Sequence, residues 1–285
     1  MARSWADILV RALSTGAVAM SALALLGTPG AQAQGYPNRP VRIIVPFTPG
    51  GTTDILARLI GQYLSEKIGQ QFIIENKAGA GNNLAVEAVI AAPADGYTVL
   101  LVNPANGINA TLYKKLSFNF IRDIAPVGGI LRVPNVMVVN NDVPAKTVKE
   151  FIDYAKVNPG KVNMASSGNG TSVHLSGELF MAMTGVKMAH VPYRGSNPAL
   201  TDIMGGQVQV LFDNMPSSIE LIRSGKIRAL AVTTEKRAPY FPDVPTVDET
   251  VKGYEASAWF GMGVKAGTPP EIIAFLNKAI NEALA

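Results

Sequence analysis

The hydrophobic pattern near the start of the chain predicts a strand, a loop and a helix in close succession. An apolar, β-branched run over 41–45 predicts a buried strand, and prolines with a Gly-Gly pair end it. Apolar residues then recur every three or four positions over 55–68, which indicates an amphipathic helix. We expect Thr52, Thr53 or Asp54 to cap the start of that helix. The amides of its first turn would then point into the loop.

This loop between strand and helix is suited to bind an anion. Gly50 and Gly51 let the backbone approach a ligand, and N–H groups at a helix N-terminus attract negative charge. A nucleotide-binding P-loop needs a lysine beside its glycines, and this loop has none. A carboxylate therefore fits better than a nucleotide. An ordinary tight turn between strand and helix is the alternative.

The pattern continues as in an α/β protein. Strands predicted over 71–75 and 97–102, with a helix over 84–92 between them, indicate a parallel sheet with crossover helices. Ligands bind such sheets at the carboxyl ends of the strands. Three loops rich in Gly or Asn are expected to converge there: 48–54, 79–83 and 103–109.

The second half of the chain repeats this design. A strand over 161–165, a Ser/Gly/Thr-rich loop over 166–172 and a helix over 173–183 follow one another. Two copies indicate two α/β lobes whose amide-rich loops face each other across a cleft. Apolar segments within 124–139, interrupted by glycines and a proline, precede the second copy. The predicted lobe limits are 36–138 for the first lobe, 139–255 for the second, and 256–285 for a return to the first.

The first 33 residues are typical of a secretory signal. Arg3 and Arg11 give a basic leader, 17–26 is apolar, and Ala31-Gln32-Ala33 offers a small-residue cleavage site. The apolar segment is about half of the ~20 residues that a membrane-spanning helix needs. Export with cleavage near Ala33 is therefore preferred to a membrane anchor.

Composition excludes several classes of protein. Across 285 residues, 48% are hydrophobic and 16% are charged, so the chain can form real cores and is not a disordered protein. The formal net charge of +4 is spread along the chain, so no nucleic-acid partner is expected. The absence of cysteine excludes disulfides and thiolate chemistry.

No catalytic residue, cofactor or metal site is predicted. The chain has neither a G-x-S-x-G elbow nor an S-x-x-K motif. His174 and Glu178 are four residues apart on a predicted helix, but a zinc site needs three or four ligands, and His190 is the one other histidine. A surface or packing role is preferred for these histidines. Arg194 could pair with one end of a dicarboxylate, although a solvated charge at the rim of the cleft is preferred. Tyr193 could line the cleft or pack in the core.

Several phrases of the sequence resemble those of one protein family. They are YPNRP from Tyr36, IVPF from Ile44, PGG from Pro49, PADGYT from Pro93, SGNGT from Ser167, HLSGE from His174, HVPYRG from His190, RALAVT from Arg228 and PDVPT from Pro242. In this order they resemble the Bug family, the extracytoplasmic solute receptors of tripartite tricarboxylate transporters. The resemblance extends from Tyr36 to about Pro270.

The resemblance implies a periplasmic, two-lobed receptor rather than an enzyme. The implied fold class is α/β, a type II periplasmic-binding-protein (Venus-flytrap) fold with a mixed sheet in each lobe. Such a monomer would close on a small carboxylate, which could be a dicarboxylate or tricarboxylate, an amino acid or an aromatic acid. The partner would be the membrane permease of a tripartite transporter. A ligand sensor that feeds a signalling system is the alternative, followed by an exported hydrolase or isomerase.

The resemblance also implies where the ligand binds. Its carboxylate would lie between the first-lobe and second-lobe loops, held by backbone amides and bridging waters. The expected ligand-binding residues are Phe47, Thr48, Gly50, Gly51, Thr52, Thr53, Asp54, Gly81, Asn82, Ser166, Ser167, Gly168, Gly170, Thr171, Ser172 and Tyr193. The chain ends at Ala285 inside a helix predicted from Pro270, where relatives of that family continue, so a truncated C-terminus is expected.

Overall fold

Strands and helices alternate along most of the chain, as the hydrophobic pattern predicts. The computed structural model describes residues 35–285, and the leader predicted over 1–33 lies outside the described residues. The strands are β1 (Val41–Val45), β2 (Phe72–Asn76), β3 (Thr98–Val102), β4 (Ile124–Val139), β5 (Asn163–Ser166), β6 (Ala189–Pro192), β7 (Val210–Asn214), β8 (Arg228–Val232) and β9 (Ser257–Lys265). The α-helices are α1 (Thr52–Ile68), α2 (Asn83–Ala91), α3 (Ala105–Leu112), α4 (Phe120–Asp123), α5 (Val148–Val157), α6 (Ser172–Thr184), α7 (Ser196–Met204), α8 (Met215–Arg223) and α9 (Pro270–Leu284).

The first group of strands is parallel at its centre and covered by helices on both faces. β1 lies between β2 and β3 and is parallel to both. Ile44 packs with Leu100 and with α2, whereas Ile43 approaches Gly61 of α1. Because helices cover both faces, β1 is apolar at neighbouring positions rather than alternating with polar residues.

Strand β4 belongs to both groups of strands. Its first part pairs antiparallel with β9, which in turn pairs antiparallel with β3. Its last residues, 135–139, pair antiparallel with β7, and 136–139 also pair with β8. The prediction that glycines and a proline break this segment is wrong, because the strand runs through them with register shifts next to Gly128 and Gly129. Such bulges absorb an extra residue without ending a strand.

The second group of strands has a hydrophobic core on each of its two faces. β5 is parallel to both β6 and β7, and with the antiparallel pairs of β4 this gives a mixed sheet, as expected. Phe180 packs against Phe151, Phe212 and Tyr254 in one core. The other core contains Leu211 together with apolar residues of α7 and β8.

The last helix returns to the first group of strands. In α9, the Asn277 side chain donates a hydrogen bond to the Val127 carbonyl of β4 over 2.6 Å, and Glu282 pairs with Lys67 of α1. The predicted lobe limits stay a prediction, because β4 contributes to both groups of strands. Among the described residues, no helix combines the length and apolar character needed to cross a membrane.

We expect Gly261→Ala to destabilise the fold where β9 passes β4. A Cβ atom at Gly261 would lie 2.7 Å from the Gly128 carbonyl oxygen and 3.2 Å from Val102 Cγ2, so one strand would have to move. Forcing a methyl group into packed structure costs on the order of 1–3 kcal/mol. Denaturant titration should show the free energy of unfolding lowered by that amount.

Gly129→Ala is the matched control for this change. Gly129 is the register partner of Gly261, but a Cβ atom there would meet nothing within 4 Å. Its substitution should leave stability unchanged or slightly raised, since alanine restricts the unfolded chain. Equal destabilisation by both changes would contradict the steric explanation.

Candidate functional site

Helix N-termini converge on one small cavity. Within residues 35–285, five helices begin at this cavity: α1, α3, α6, α7 and α8. The cavity is lined by Thr52 of α1, Pro104 just before α3, Ser172 of α6, Ser196 of α7 and Asn214 just before α8. The first N–H groups of a helix lack partners within the helix and carry partial positive charge. Five such ends around one space favour an anion.

The lining of the small cavity is polar but uncharged. Its volume is ≈ 20 Å³, about the room that one water molecule needs. The lining residues are Phe47, Gly51, Thr52, Thr53, Asn103, Pro104, Ser167, Thr171, Ser172, Ser196, Asn214 and Phe260. None of these described residues carries a charge, so an anion here would be held by neutral hydrogen-bond donors and helix dipoles.

A wider cavity adjoins the small one, and Phe47 and Ser167 line both. Its volume is ≈ 320 Å³. The lining residues are Phe47, Ala78, Gly79, Ala80, Gly81, Asn82, Leu84, Tyr113, Ser167, Gly168, Asn169, Pro192, Tyr193 and Arg194. Arg194 is the one charged residue among the described residues of this lining. The buried Asn82 side chain also borders it, with no hydrogen-bond partner for either amide atom among the described residues.

The structure brings most of the predicted ligand-binding residues to these cavities. Those at the small cavity are Phe47, Gly51, Thr52, Thr53, Ser167, Thr171 and Ser172. Those at the wider cavity, besides Phe47 and Ser167, are Gly81, Asn82, Gly168 and Tyr193. Those in neither lining are Thr48, Gly50, Asp54, Ser166 and Gly170. Contact of any of these residues with a ligand stays a prediction.

Asp54 shapes the loop between β1 and α1. Its carboxylate accepts hydrogen bonds from the Gly50 amide at 3.0 Å and from the side chains of Arg58 and Asn76 at 2.9 Å. Burial opposes ionisation of Asp54, but the bonds from Arg58, Gly50 and Asn76 outweigh it and lower its pKa. The expectation of a side-chain cap is wrong, because Gly51 takes the N-cap position without one. The first amides of α1 are thus left for another acceptor.

Gly50 has a backbone conformation that favours glycine, whereas Gly51 has one that any residue can adopt. Gly50 has φ +86°, in the left-handed region that favours glycine, and a Cβ atom there would lie 3.2 Å from the Asn197 side chain. Gly51 has φ −83°, which any residue can adopt. Its nearest neighbour is Ser196, 3.7 Å from where a Cβ atom would stand. The loop therefore lies directly against α7.

The loop over 166–172 uses its glycine amides for its own shape. The Gly168 amide donates to Ser166 Oγ at 3.1 Å, and the Gly170 amide donates to His174 Nδ1 at 3.2 Å. Thr171 Oγ1 donates to the Gly168 carbonyl at 2.7 Å and accepts from the His174 amide as the cap of α6. The glycines therefore orient this loop, while serine and threonine residues line the small cavity.

Direct contacts join the two groups of strands beside the small cavity. The Thr48 amide donates to the Arg194 carbonyl at 3.1 Å, and Thr52 Oγ1 donates to Ser217 Oγ at 3.1 Å. Both contacts link the loop between β1 and α1 with elements of the second group. The structure therefore shows this side of the cleft closed.

A buried carboxylate lies behind the starts of α7 and α8. Asp213 is fully buried and accepts hydrogen bonds from Ser196 Oγ at 2.5 Å, Ser217 Oγ at 2.5 Å and Ser218 Oγ at 2.7 Å. Burial raises the pKa of Asp213, whereas the three hydroxyl groups oppose that rise. Because Thr52 donates to Ser217, a chain of hydrogen bonds runs from the first group of strands to Asp213. In the sequence, Asp213, Asn214, Ser217 and Ser218 follow the apolar residues of β7, and this polar run is a signal that could have indicated the arrangement.

Asn103 is a site residue that was expected only as part of a converging loop. The prediction of a loop over 103–109 is wrong beyond Pro104, because α3 begins at Ala105. Asn103 Oδ1 accepts the Ala105 amide at 3.0 Å, and Asn106 Oδ1 accepts the Asn103 amide at 2.8 Å, which starts the helix. The Asn103 side-chain nitrogen is buried at the small cavity with no hydrogen-bond partner among the described residues. It is therefore a donor suited to an anion.

Tyr193 and Phe47 differ in what they offer at the site. The Tyr193 hydroxyl donates to Asp202 at 2.5 Å, and burial together with this carboxylate raises the pKa of Tyr193 to about 12. Its hydroxyl is thus engaged, although the residue lines the wider cavity. Phe47 is buried and lies where the two cavities meet, so it lines the cleft.

Comparison with known proteins shows a match to one family model and similarity in fold to several solved structures. A family model described as tripartite tricarboxylate transporter family receptor matches residues 56–285. The structure of R. palustris Rpa4515 with adipate is 44% identical with a TM-score of 0.84, over 86% of this chain and 83% of that chain. The periplasmic binding protein BugD is 36% identical with a TM-score of 0.84, over 88% and 84%.

A third solved structure extends the same comparison. MatC from Rhodopseudomonas palustris with bound malate is 34% identical with a TM-score of 0.84, over 87% of this chain and 85% of that chain. The chain is thus similar in fold, over most of its length, to periplasmic binding proteins. The predicted fold class, a two-lobed periplasmic-binding-protein fold, is confirmed.

We expect Asp54→Asn to lower the free energy of unfolding at neutral pH by on the order of 2 kcal/mol, because hydrogen bonds to a charged acceptor are weakened. The pKa of Asp54 is lowered from its ordinary value of 3.8. The stabilisation of the fold by ionised Asp54 is therefore present above pH 3.8 and is lost as the pH falls through the lowered pKa. Denaturant titrations at pH 7 and pH 3 should therefore show a smaller difference between variant and wild type at pH 3.

Asp153→Asn is the control for Asp54→Asn. Asp153 pairs with Lys149 on the exposed face of α5, with side chains 60% and 74% exposed. Such a pair contributes about 0–1 kcal/mol. A loss from Asp153→Asn as large as that from Asp54→Asn would contradict the role given to the buried hydrogen bonds.

Proposed function

Because this chain belongs to the tripartite tricarboxylate transporter receptor family, we propose that its two adjoining cavities bind one small carboxylate for delivery to a membrane permease. The family is one of solute-binding receptors, so the chain is a receptor rather than an enzyme, as expected. The observation that carries the proposed binding mode is the convergence of five helix N-termini on a small, uncharged, polar cavity.

The small cavity takes one carboxylate group. Its size leaves room only for a small group, so the rest of the ligand extends past Phe47 into the wider cavity. The donors are the backbone amides of Thr52 and Thr53 at the start of α1, the side-chain nitrogen of Asn103, and groups of the loop over 166–172. A hydrogen bond to a charged partner contributes about 1.5–3 kcal/mol. Several such bonds hold an anion without an ion pair.

The wider cavity takes the far end of the ligand. Relatives in the comparison bind adipate and malate, which each carry two carboxylates. Arg194 is exposed, which agrees with the rim position preferred from the sequence, but it also lines this cavity. We therefore assign it to a second carboxylate, with Asn82 as a neutral partner for polar groups in between. On this view, dicarboxylates are preferred over monocarboxylates of equal length.

Closure of the cleft links binding of the ligand to its delivery to the permease. The bonds from Thr48 to Arg194 and from Thr52 to Ser217 join the two walls of the cleft beside the bound carboxylate. A ligand that fills both cavities stabilises this closed arrangement, because donors from both groups of strands surround it. A permease can then distinguish the closed receptor from the open one. The receptor acts as a monomer in this scheme.

We expect Asn103→Asp to weaken binding of both adipate and hexanoate on the order of a hundredfold or more. The change keeps the oxygen that accepts the Ala105 amide, but it replaces the unpartnered donor with a negative charge beside the bound carboxylate. Loss of one charge-assisted hydrogen bond alone weakens binding by about ten- to a hundredfold. Isothermal titration calorimetry at pH 7 measures the effect, and circular dichroism verifies the fold.

Arg194→Ala, measured with the same two ligands, distinguishes the role of the wider cavity from that of the small cavity. It should weaken adipate about tenfold and leave hexanoate unchanged, because hexanoate lacks the second carboxylate. If Arg194→Ala weakens hexanoate as strongly as adipate while Asn103→Asp weakens neither, the inner carboxylate is held by an ion pair, and the assignment of the two cavities is wrong.

The receptors of this family are periplasmic, and we propose that this chain reaches the periplasm by cleavage of its leader near Ala33. N-terminal sequencing of protein from the periplasmic fraction should begin close to Gln34. Recovery of the intact leader, or of the protein in the cytoplasmic fraction only, would contradict this.

A further inference from the structure

Two histidines lie stacked directly behind the loop over 166–172. His174 of α6 and His190 of β6 have ring centroids 4.1 Å apart and planes inclined by 20°. The His174 side chain is 13% exposed, so the pair is not a surface feature. The two residues are 16 positions apart in sequence, and only the parallel pairing of β5 with β6 brings the second ring under the first turn of α6.

Each ring holds a different part of that loop. The Gly170 amide donates to His174 Nδ1 at 3.2 Å. His190 Nε2 lies 2.6 Å from Ser166 Oγ, which also accepts the Gly168 amide at 3.1 Å. The loop is therefore fixed at its start through His190 and at its end through His174. Between these two points lies Ser167, which lines both cavities.

The donor and acceptor pattern determines the tautomer of His174. Because the Gly170 amide is a donor, Nδ1 has to present a lone pair, and the ring proton lies on Nε2. Nε2 is 3.3 Å from Glu178 Oε1, which can accept that proton's hydrogen bond. A second proton on Nδ1 would face the Gly170 N–H directly. The bond that holds the loop would then be replaced by repulsion between two donors.

We propose that the His174–His190 pair is a positioning device, which keeps the loop over 166–172 in its binding shape only while Nδ1 of His174 is unprotonated. The inference rests on the proposed function, in which this loop forms one wall of the carboxylate site. Both histidines are positioning residues, since neither lines either cavity.

The surroundings of the pair favour the neutral rings at pH 7. Burial lowers the pKa of His174, and Glu178 on the same helix opposes that fall. Burial, followed by the neighbouring charge of His174, lowers the pKa of His190 to about 4. Among the described elements packed around the pair, the titratable groups that face it are Glu178 and the opposite ring. The rings therefore stay neutral as the pH falls below the ordinary histidine pKa of 6.5, and Nδ1 of His174 takes up a proton only as the pH falls through the lowered pKa of that ring.

Two variants of His174 test the proposal with adipate as the probe, titrated calorimetrically from pH 4.5 to 7.5. His174→Asn places an amide oxygen near the position of Nδ1, so it can accept the Gly170 amide but does not titrate. It should bind adipate at pH 7 within a few fold of wild type and lose less affinity on acidification. His174→Ala, which removes the acceptor, should bind about tenfold more weakly at every pH. Protonation of adipate affects all variants equally, so differences between profiles report the histidine.

Glu178→Gln is the matched variant that changes the pKa of His174. It leaves the Gly170 bond in place but removes the charge that favours protonated His174, so the acid loss of affinity should move to lower pH. A shift to higher pH, or identical profiles for wild type and His174→Asn, would overturn the proposal.

Nitrogen-15 NMR of the wild-type imidazoles provides a test without any ligand. His174 should show the Nε2–H tautomer at pH 7, and the Gly170 amide shift should follow the titration of His174. An Nδ1–H tautomer, or a Gly170 amide that ignores the titration, would overturn the proposal even if all variants fold poorly. If wild type binds no carboxylate at pH 7, the proposed function fails, and the NMR result alone decides whether the pair positions the loop.

Discussion

The amide groups at the starts of α1, α3, α6, α7 and α8 are the constraint on which the site depends. A helix leaves its first N–H groups without partners, and burying such donors is costly unless something accepts their hydrogen bonds. Here these ends face the same small cavity. Strands β1, β3, β5 and β7 each lead into one of the helices that begin there. One anion in this cavity would accept hydrogen bonds from the N–H groups at the starts of all these helices.

The small cavity has no charged residue in its lining, and this affects how tightly it can hold a carboxylate group. Two carboxylates, Asp54 and Asp213, lie close behind the small cavity, yet neither lines it. Each accepts several hydrogen bonds, so its oxygens orient a loop or a set of hydroxyl groups. In the proposed binding mode, the inner carboxylate is held by neutral donors that surround it only when the two walls meet. Opening the cleft removes many of these donors together, which suits a receptor that has to release its cargo.

Strand β4 and its partner β9 make this arrangement possible. β4 is hydrogen-bonded in both groups of strands, so the loops of one group face those of the other across a shared backbone. Gly261 allows β9 to approach β4 closely, while the register shifts next to Gly128 and Gly129 let β4 continue through its glycines. The contact of Thr48 with Arg194 and that of Thr52 with Ser217 then join the two walls of the cleft.

The sequence by itself determined the local structure and the family. The strand over 41–45 has the limits that its apolar, β-branched run predicts, because burial on both faces is encoded in adjacent residues. Tertiary structure alone decided which polar groups share a cavity. Asn103, Ser196 and the stacked histidines meet their partners through the strand order β3-β9-β4-β7-β5-β6, which no local pattern encodes. Local hydrogen bonds from Gly168 to Ser166 and from Gly170 to His174 engage glycine amides that were expected to bind a ligand, so these amides shape their own loop instead.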